Sequence, residues 1–175
     1  MDIQRLKVER DQSLFFQHLV NAIVSQQLSV KVSDVIIERL NQLFPEHTVL
    51  TPKLILSAND DQLRGIGMSW GKVKYVKDLA DKTQTGQLQL STLSLLDNED
   101  VITELTKVKG IGRWTAEMFL IFHLGREDVF SFGDLGLRRA VEKLYQLPKD
   151  VAIEKIEPIV EKWQPYRSYA SLALW

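Results

Sequence analysis

The sequence predicts an all-α fold, and three observations carry that expectation. Apolar residues recur at spacings of three and four along nearly the whole chain. Glycine and proline mostly fall between those stretches, where they punctuate helices. No run alternates for long enough to make a strand: Leu88 and Leu90 alternate with glutamine, and the pattern stops there.

The elements follow in order. Phe15, Phe16, Leu19, Val20, Ile23 and Val24 share one helical face. Val32, Val35, Ile36, Leu40 and Leu43 repeat the pattern, and Pro45 ends it. Thr51-Pro52 opens a short helix, with proline suited to the first helical position. Asp60 or Asp61 can cap another. Gly65-Ile66-Gly67 is a break, after which Ser69 can cap a helix carrying Trp70, Val73, Val76, Leu79 and Ala80. Thr85-Gly86 marks a loop, and Asn98 precedes a short helix over Val101, Ile102 and Leu105. A helix from Trp114 to His123 ends at Gly125. Leu135, Leu137, Ala140, Val141 and Leu144 form the next. Pro148 starts a segment with Ile153, Ile156, Val160 and Trp163, where Pro158 requires a late helix start or a kink. A last helix is expected over 167–175. The sum is about ten short helices packed by ridges and grooves.

Composition narrows the function. The 175 residues are 45% hydrophobic and 26% charged, which suits one globular domain, with two lobes at most. The apolar run from Met118 to Phe122 is far too short to span a bilayer, and MDIQRLKVERD has no apolar secretion core. The expected location is therefore cytoplasm or nucleoid, or the nucleus in a eukaryote. No cysteine is present, which removes disulfides, thiolate zinc sites, iron–sulfur clusters and a thiol nucleophile. Net charge is −1, so affinity for nucleic acid must come from local patches and main-chain donors.

One such patch is KVKGIGRWTAEMF, residues 107–119. A short helix, a glycine turn and a longer helix make a hairpin. Gly110 and Gly112 allow close backbone approach, and the first N–H groups of the second helix can hold a phosphate. Lys107, Lys109 and Arg113 add charge there. Taken alone, the pattern is more often that of an ordinary αα-turn with a solvated basic rim.

Four segments in order change that balance: LVNAIVSQQLSVKV, LRGIGMSWGKVKYVKDLA, LTKVKGIGRWTAEMFLIFHLGREDVFSFGDLGLRRA and WQPYRSYASLALW. Together they cover most of residues 12–175 and resemble the helix-hairpin-helix DNA glycosylases whose Gly/Pro-rich loop ends in an aspartate, on the alkylbase branch of 3-methyladenine-DNA glycosylase II. The resemblance implies the helix-hairpin-helix glycosylase fold, two helical lobes with a cleft between them, one at about 22–124 and the other at about 1–21 plus 125–175. It implies a compact enzyme without the amino-terminal α/β domain of a well-studied bacterial relative. It also implies double-stranded DNA with alkylated bases as partner, a monomer, and no required cofactor. A structural sodium or potassium ion at the hairpin, held by main-chain carbonyls of Thr106, Val108 and Ile111, is carried over with it.

Residue by residue, Asp134 stands where the family has its catalytic aspartate. Its chemistry also suits the N-cap of the helix from Leu135, and the two roles can coexist, because a carboxylate at a helix amino terminus is favoured by the dipole. Asp128 matches no catalytic position and reads as structural. The FSFG turn departs from the proline-containing version. Trp114 replaces the lysine of the glycosylase/lyase branches. Indole has no nucleophilic amine, so no Schiff base forms and the expected product is an abasic site. Trp114, Met118 and Trp175 are the expected base pocket, although Trp175 also reads as a last core residue. Electron-rich faces suit a cationic alkylated purine, at about 0.5–2 kcal/mol per contact. Gln27, with Leu28 beside it, is the expected wedge that fills the gap left by a flipped nucleotide; Gln26 and Gln27 also read as polar residues at a helix end. Gly110, Gly112, Arg113, Thr115, Lys107 and Lys109 are the expected DNA contacts. His18, His47 and His123 are expected to take no acid or base role. Gly67, Ser69, Trp70 and Lys72 read as a packing turn that touches the opposite strand. Two other functions stay open at this point: a non-catalytic protein that grips damaged DNA, and a glycosylase for neutral deaminated purines such as hypoxanthine.

Overall fold

The computed structural model describes residues 11–175; the part of the expected second lobe on residues 1–10 lies outside the described residues. Among the described residues there are ten α-helices and no strand. They fall into two compact units, residues 11–112 and 113–175. The divide between the two units lies at Gly112–Arg113.

The first unit holds α1 (Phe15–Ser25), α2 (Val30–Gln42), α3 (Pro52–Ser57), α4 (Asp60–Gly65), α5 (Trp70–Gln84) and α6 (Asn98–Thr106). α5 is its centre: α1, α3 and α4 all pack against it, and α1 also packs on α2. Leu19, Ile23, Leu40, Ile55, Leu63, Leu79 and Leu105 are wholly buried, each worth about 1.5–3 kcal/mol of burial. Thr51 and Ser69 cap α3 and α5 as expected, through the N–H groups of Leu54 and Lys72. α4 differs: Asn59 is the cap, in a reciprocal box with Gln62, and Asp60 and Asp61 lie in the first turn. The box satisfies two donors at once, which a cap one residue later would forfeit. α2 differs too. Its buried stripe is Ser33, Ile36 and Leu40, while Val32 and Val35 are exposed beside it. Ser33 turns its hydroxyl back to the Val30 carbonyl, which removes the polar cost of burying it. Leu90–Leu95, after the brief alternation, is a 3₁₀ segment.

The second unit holds α7 (Arg113–Phe122), α8 (Leu135–Leu144), α9 (Ile153–Glu161) and α10 (Arg167–Leu174). Phe130, Leu137, Val141, Ile156 and Val160 form its core, with Phe132, Trp163 and Leu174 packed against it. α8 therefore meets α9 and α10. α9 begins late, at Ile153, and keeps Pro158 inside. Ser168 and Ser171, both fully buried, spend their hydroxyls on the carbonyls of Arg126, Val129 and Arg167, which ties α10 to the strand of chain leading to Asp134. No described helix is long and apolar enough to cross a membrane.

Candidate active site

Asp134 has extended backbone and caps α8. Its Oδ1 accepts the N–H of Leu137 at 2.9 Å. Its Oδ2 accepts the indole Nε1–H of Trp114, also at 2.9 Å. Two donors from two helices thus hold one carboxylate, one on each oxygen. Trp114 lies in the first turn of α7 and is 47% exposed, with its indole N–H committed to Asp134. Met118, partly buried, follows one helical turn later on the same side of α7.

Trp175 closes α10 and is likewise 47% exposed. Its ring stacks on Phe122 with centroids 5.6 Å apart and 28° between planes. Gly136 shows how near it comes to the carboxylate. A Cβ there would stand 3.1 Å from Asp134 Oδ1 and 3.9 Å from Trp175 Cδ1. The space left by that missing side chain is bordered by both groups. Trp114, Asp134 and Trp175 are therefore brought near one another.

The polar surroundings were less legible. Glu117 is only 5% exposed, takes Arg113 Nε at 2.9 Å, and takes the hydroxyl of the wholly buried Ser131 at 2.5 Å. Its i+4 spacing from Arg113 is the single signal in the sequence, and that spacing usually means a surface pair. Asp128 is structural, as expected: its carboxylate takes Arg167 Nε at 2.6 Å and Nη2 at 2.9 Å, and the Arg167 N–H at 3.2 Å. The Arg167 side chain holds the Asp128 carboxyl below its ordinary value of 3.8, against a smaller opposing effect of burial.

Thr115 is turned inward and 7% exposed, because it shares the buried side of α7 with Ala116 and Phe119; only its main-chain N–H in the first turn suits a phosphate. The three cations are not bare charges. Lys107 pairs with Glu104 at 2.5 Å, Lys109 lies 3.7 Å from Asp78, and Arg113 pairs with Glu117. Acidic neighbours at helical and cross-helix positions reduce the local charge that the three basic residues alone suggest.

The wedge residues belong to the unit 11–112. α1 ends at Ser25, and Gln27 stands exposed in the left-handed region at φ 57, which costs a non-glycine residue about 1–2 kcal/mol. Leu28 is exposed beside it. The loop is braced from behind. Gln26 Nε2 donates to the Gly110 carbonyl at 2.8 Å, and Lys72 Nζ donates to the carbonyls of Val24 and Gln26 at 2.7 Å. Burial holds the Lys72 ammonium below its ordinary pKa of 10.5. These groups line a polar hollow of about 350 Å³ with Tyr75 at its side. Tyr75 also packs under Gly110, and Asp78 Oδ2 accepts the Lys109 N–H at 2.9 Å. Burial pushes the Asp78 carboxyl up, but the Lys82 hydrogen bond, the Lys109 N–H and both ammonium charges outweigh it and leave the group below its ordinary value. The glycine turn and the wedge loop are thus held by the same helix, α5. Gly110 itself, at φ 84, and the buried Val108 and Ile111 give the turn its shape.

Comparison with known proteins places this arrangement. Residues 20–165 match the HhH-GPD superfamily of base excision DNA repair proteins. YfjP of Bacillus subtilis is 33% identical over 162 residues, covering 90% of this chain and 56% of its own length, so the chain spans little more than half of that relative. The crystal structure of a DNA-3-methyladenine glycosidase from Bacillus halodurans superposes with a TM-score of 0.84 at 38% identity, over 92% of this chain and 74% of that one. The 3-methyladenine DNA glycosylase Mag1 of Schizosaccharomyces pombe, solved in complex with abasic DNA, gives 0.83 at 33% identity, over 97% of this chain and 82% of that one. With the hairpin, the capping aspartate and the indole beside it all inside the matched span, the chain belongs to the HhH-GPD superfamily of base excision DNA repair proteins, on its 3-methyladenine-DNA glycosylase branch.

Proposed function

We propose that this protein is a monofunctional DNA glycosylase that hydrolyses the N-glycosidic bond of alkylated purines in double-stranded DNA, acting as a monomer. The single observation that carries the reading is the carboxylate of Asp134 fixed by the Trp114 indole and the Leu137 N–H. Partners and product are supported by the Mag1 complex with abasic DNA.

The chemistry follows from that geometry. The target nucleotide is flipped from the stack, at a cost of a few kcal/mol, and Gln27 and Leu28 fill the space it leaves. Main-chain N–H groups at Gly112, Arg113 and Thr115 and the charges of Lys107, Lys109 and Arg113 hold the flanking backbone. A purine methylated at N3 or N7 is cationic, and the half-exposed rings of Trp114 and Trp175 favour it. The C1′–N bond breaks with its electron pair leaving on the base, which departs neutral and so needs no general acid. The oxocarbenium-like sugar is stabilised by the fixed negative charge of Asp134. Water adds to C1′ and gives its proton to the Asp134 carboxylate. The product is an abasic site. Trp114 offers no amine, so no Schiff base forms and no strand is cut. A monovalent cation at the hairpin suits the carbonyls of Thr106, Val108 and Ile111; the Val108 oxygen accepts one hydrogen bond, from Ile111 at 3.1 Å, which leaves its second lone pair for a hard ion. When bound, such an ion supplies fixed positive charge for a DNA phosphate.

The test is excision from dimethyl sulfate-treated duplex, with a hypoxanthine duplex alongside. Asp134→Asn keeps an oxygen for the Leu137 N–H but removes the charge. Release of methylated purine by the wild type, its loss in Asp134→Asn with duplex binding retained, and no borohydride-trapped adduct are expected. Undiminished release by Asp134→Asn overturns the mechanism. A trapped adduct overturns the absence of lyase activity, and preferential release of hypoxanthine overturns the substrate class.

A further inference from the structure

Glu117 is a buried carboxylate that the chemistry above leaves unused. Burying a charge costs several kcal/mol, and a leucine-sized apolar residue on the inner side of α7 would serve packing better. What the carboxylate does instead is join two pieces of chain. Oε1 takes Nε of Arg113, in the first turn of its own helix. Oε2 takes the hydroxyl of Ser131, and the Ser131 carbonyl takes the N–H of Asp134 at 3.1 Å. Phe130 and Phe132, on either side of Ser131, pack into the core of this unit, with their rings 4.9 Å apart. The turn is therefore fixed on one side by two aromatic anchors and on the other by one hydroxyl. No proline stiffens FSFG.

We propose that Glu117 is a positioning residue for Asp134, acting through Ser131. The inference rests on the reading of Asp134 as the catalytic carboxylate. Its physical content is that the first turn of α7 and the turn at 131–134 are linked twice. The exposed link, Trp114 to Asp134, sets the direction of the carboxylate. The buried link, Glu117 to Ser131, sets where the turn that carries it stands. A shift of about 1 Å in a reacting group can lower a rate about a hundredfold without weakening binding.

The experiment measures single-turnover excision from dimethyl sulfate-treated duplex and, separately, affinity for a duplex with a tetrahydrofuran abasic analogue. The proteins are wild type, Ser131→Ala, Glu117→Gln, the double variant and Asp134→Asn, all assayed well below their melting temperatures. Ser131→Ala is expected to slow excision by about tenfold or more while affinity for the abasic analogue changes by less than about twofold. Glu117→Gln is expected to slow it as well, because the amide cannot serve both partners as the carboxylate does. The double variant is expected to be no slower than Ser131→Ala, because the two changes break one path. Unchanged rates in both single variants overturn the proposal, as do additive losses, which place Glu117 on a separate path. If Glu117→Gln does not fold, the rate and affinity of Ser131→Ala alone decide. Asp134→Asn separates the two readings: activity in that variant removes the catalytic assignment itself, whereas its inactivity beside fully active Ser131→Ala and Glu117→Gln removes only the positioning role.

Discussion

The indole Nε1–H of Trp114 donates to Oδ2 of Asp134 at 2.9 Å, across 20 positions of sequence. On the proposed mechanism this gives the tryptophan a second role beside stacking on the base, that of holding the Asp134 carboxylate. Trp114→Phe tests the difference, since it keeps an aromatic face and deletes the donor. A hydrogen bond to a charged group is worth about 1.5–3 kcal/mol, and solvent around a half-exposed indole lowers that to about 1 kcal/mol. Single-turnover excision is therefore expected to fall about five- to tenfold, with affinity for abasic-analogue DNA nearly unchanged. A rate equal to wild type would leave Trp114 with stacking alone.

What the residues disclosed in advance, and what they withheld, follows from the range of the forces involved. Thr51, Ser69 and Asp134 were legible as caps because a cap is a contact within three residues. The hairpin was legible because its glycines and its helix start are adjacent. Asn59 was missed in favour of Asp60 or Asp61 because all three residue types cap well, and the choice turns on the reciprocal bond to Gln62. Val32 and Val35 looked like core because periodicity reports a helical stripe and not which edge of it a neighbour covers. Glu117 and Ser131 were hidden for a different reason. A glutamate four residues after an arginine is ordinarily a surface pair, and only the packing of a distant turn makes it a buried one. An exposed indole N–H needs no protein partner, so nothing local called for the bond to Asp134.

Gly136 separates stability from activity. It is the second residue of α8, and its own backbone poses no obstacle to alanine, which favours helix by about 1 kcal/mol relative to glycine. The added methyl, however, would stand 3.1 Å from Asp134 Oδ1 and 3.9 Å from Trp175 Cδ1. Gly136→Ala is expected to melt at the same or a slightly higher temperature while excision falls severalfold. Thermal melts and single-turnover rates on the same preparations check both halves. A variant that is as active as wild type would show that the carboxylate can give way without consequence.

At Gly110 the two effects run the same way. Its φ is 84°, and a Cβ would lie 2.2 Å from Cδ2 and 2.7 Å from Cε2 of Tyr75. Gly110→Ala is therefore expected to destabilise the unit by about 2 kcal/mol or more, and to weaken duplex binding, since the turn that presents its N–H groups to phosphate must move. Tyr75→Ala in the same chain removes the clash but not the backbone strain. The double variant is expected to regain part of the stability lost in Gly110→Ala and little of the binding. Denaturant melts and a fluorescence binding titration measure the two, and full recovery of binding in the double variant would mean that the ring, not the left-handed turn, is what matters.

Asp128 and Arg167 link the chain before the turn at 131–134 to the start of α10, the helix that Trp175 caps. The Arg167 hydrogen bond lowers the Asp128 pKa on folding from an ordinary 3.8. A carboxylate with a lowered folded value binds fewer protons in the folded chain than in the unfolded one, so stability rises with pH across that interval. Its contribution is fully present above about pH 4 and is lost as pH falls through the lower folded value. Asp128→Asn is expected to cost about 1–2 kcal/mol at pH 7, since both side chains are about a quarter to a third exposed and the pair is only partly shielded from water. The gap between wild type and variant is expected to narrow as pH falls below about 4 and the wild-type carboxyl takes up its proton. Urea melts at several pH values test this. A gap that does not narrow as the pH is lowered would show that the main-chain bond to Arg167, which an asparagine oxygen can still accept, and not the charge, holds α10 in place.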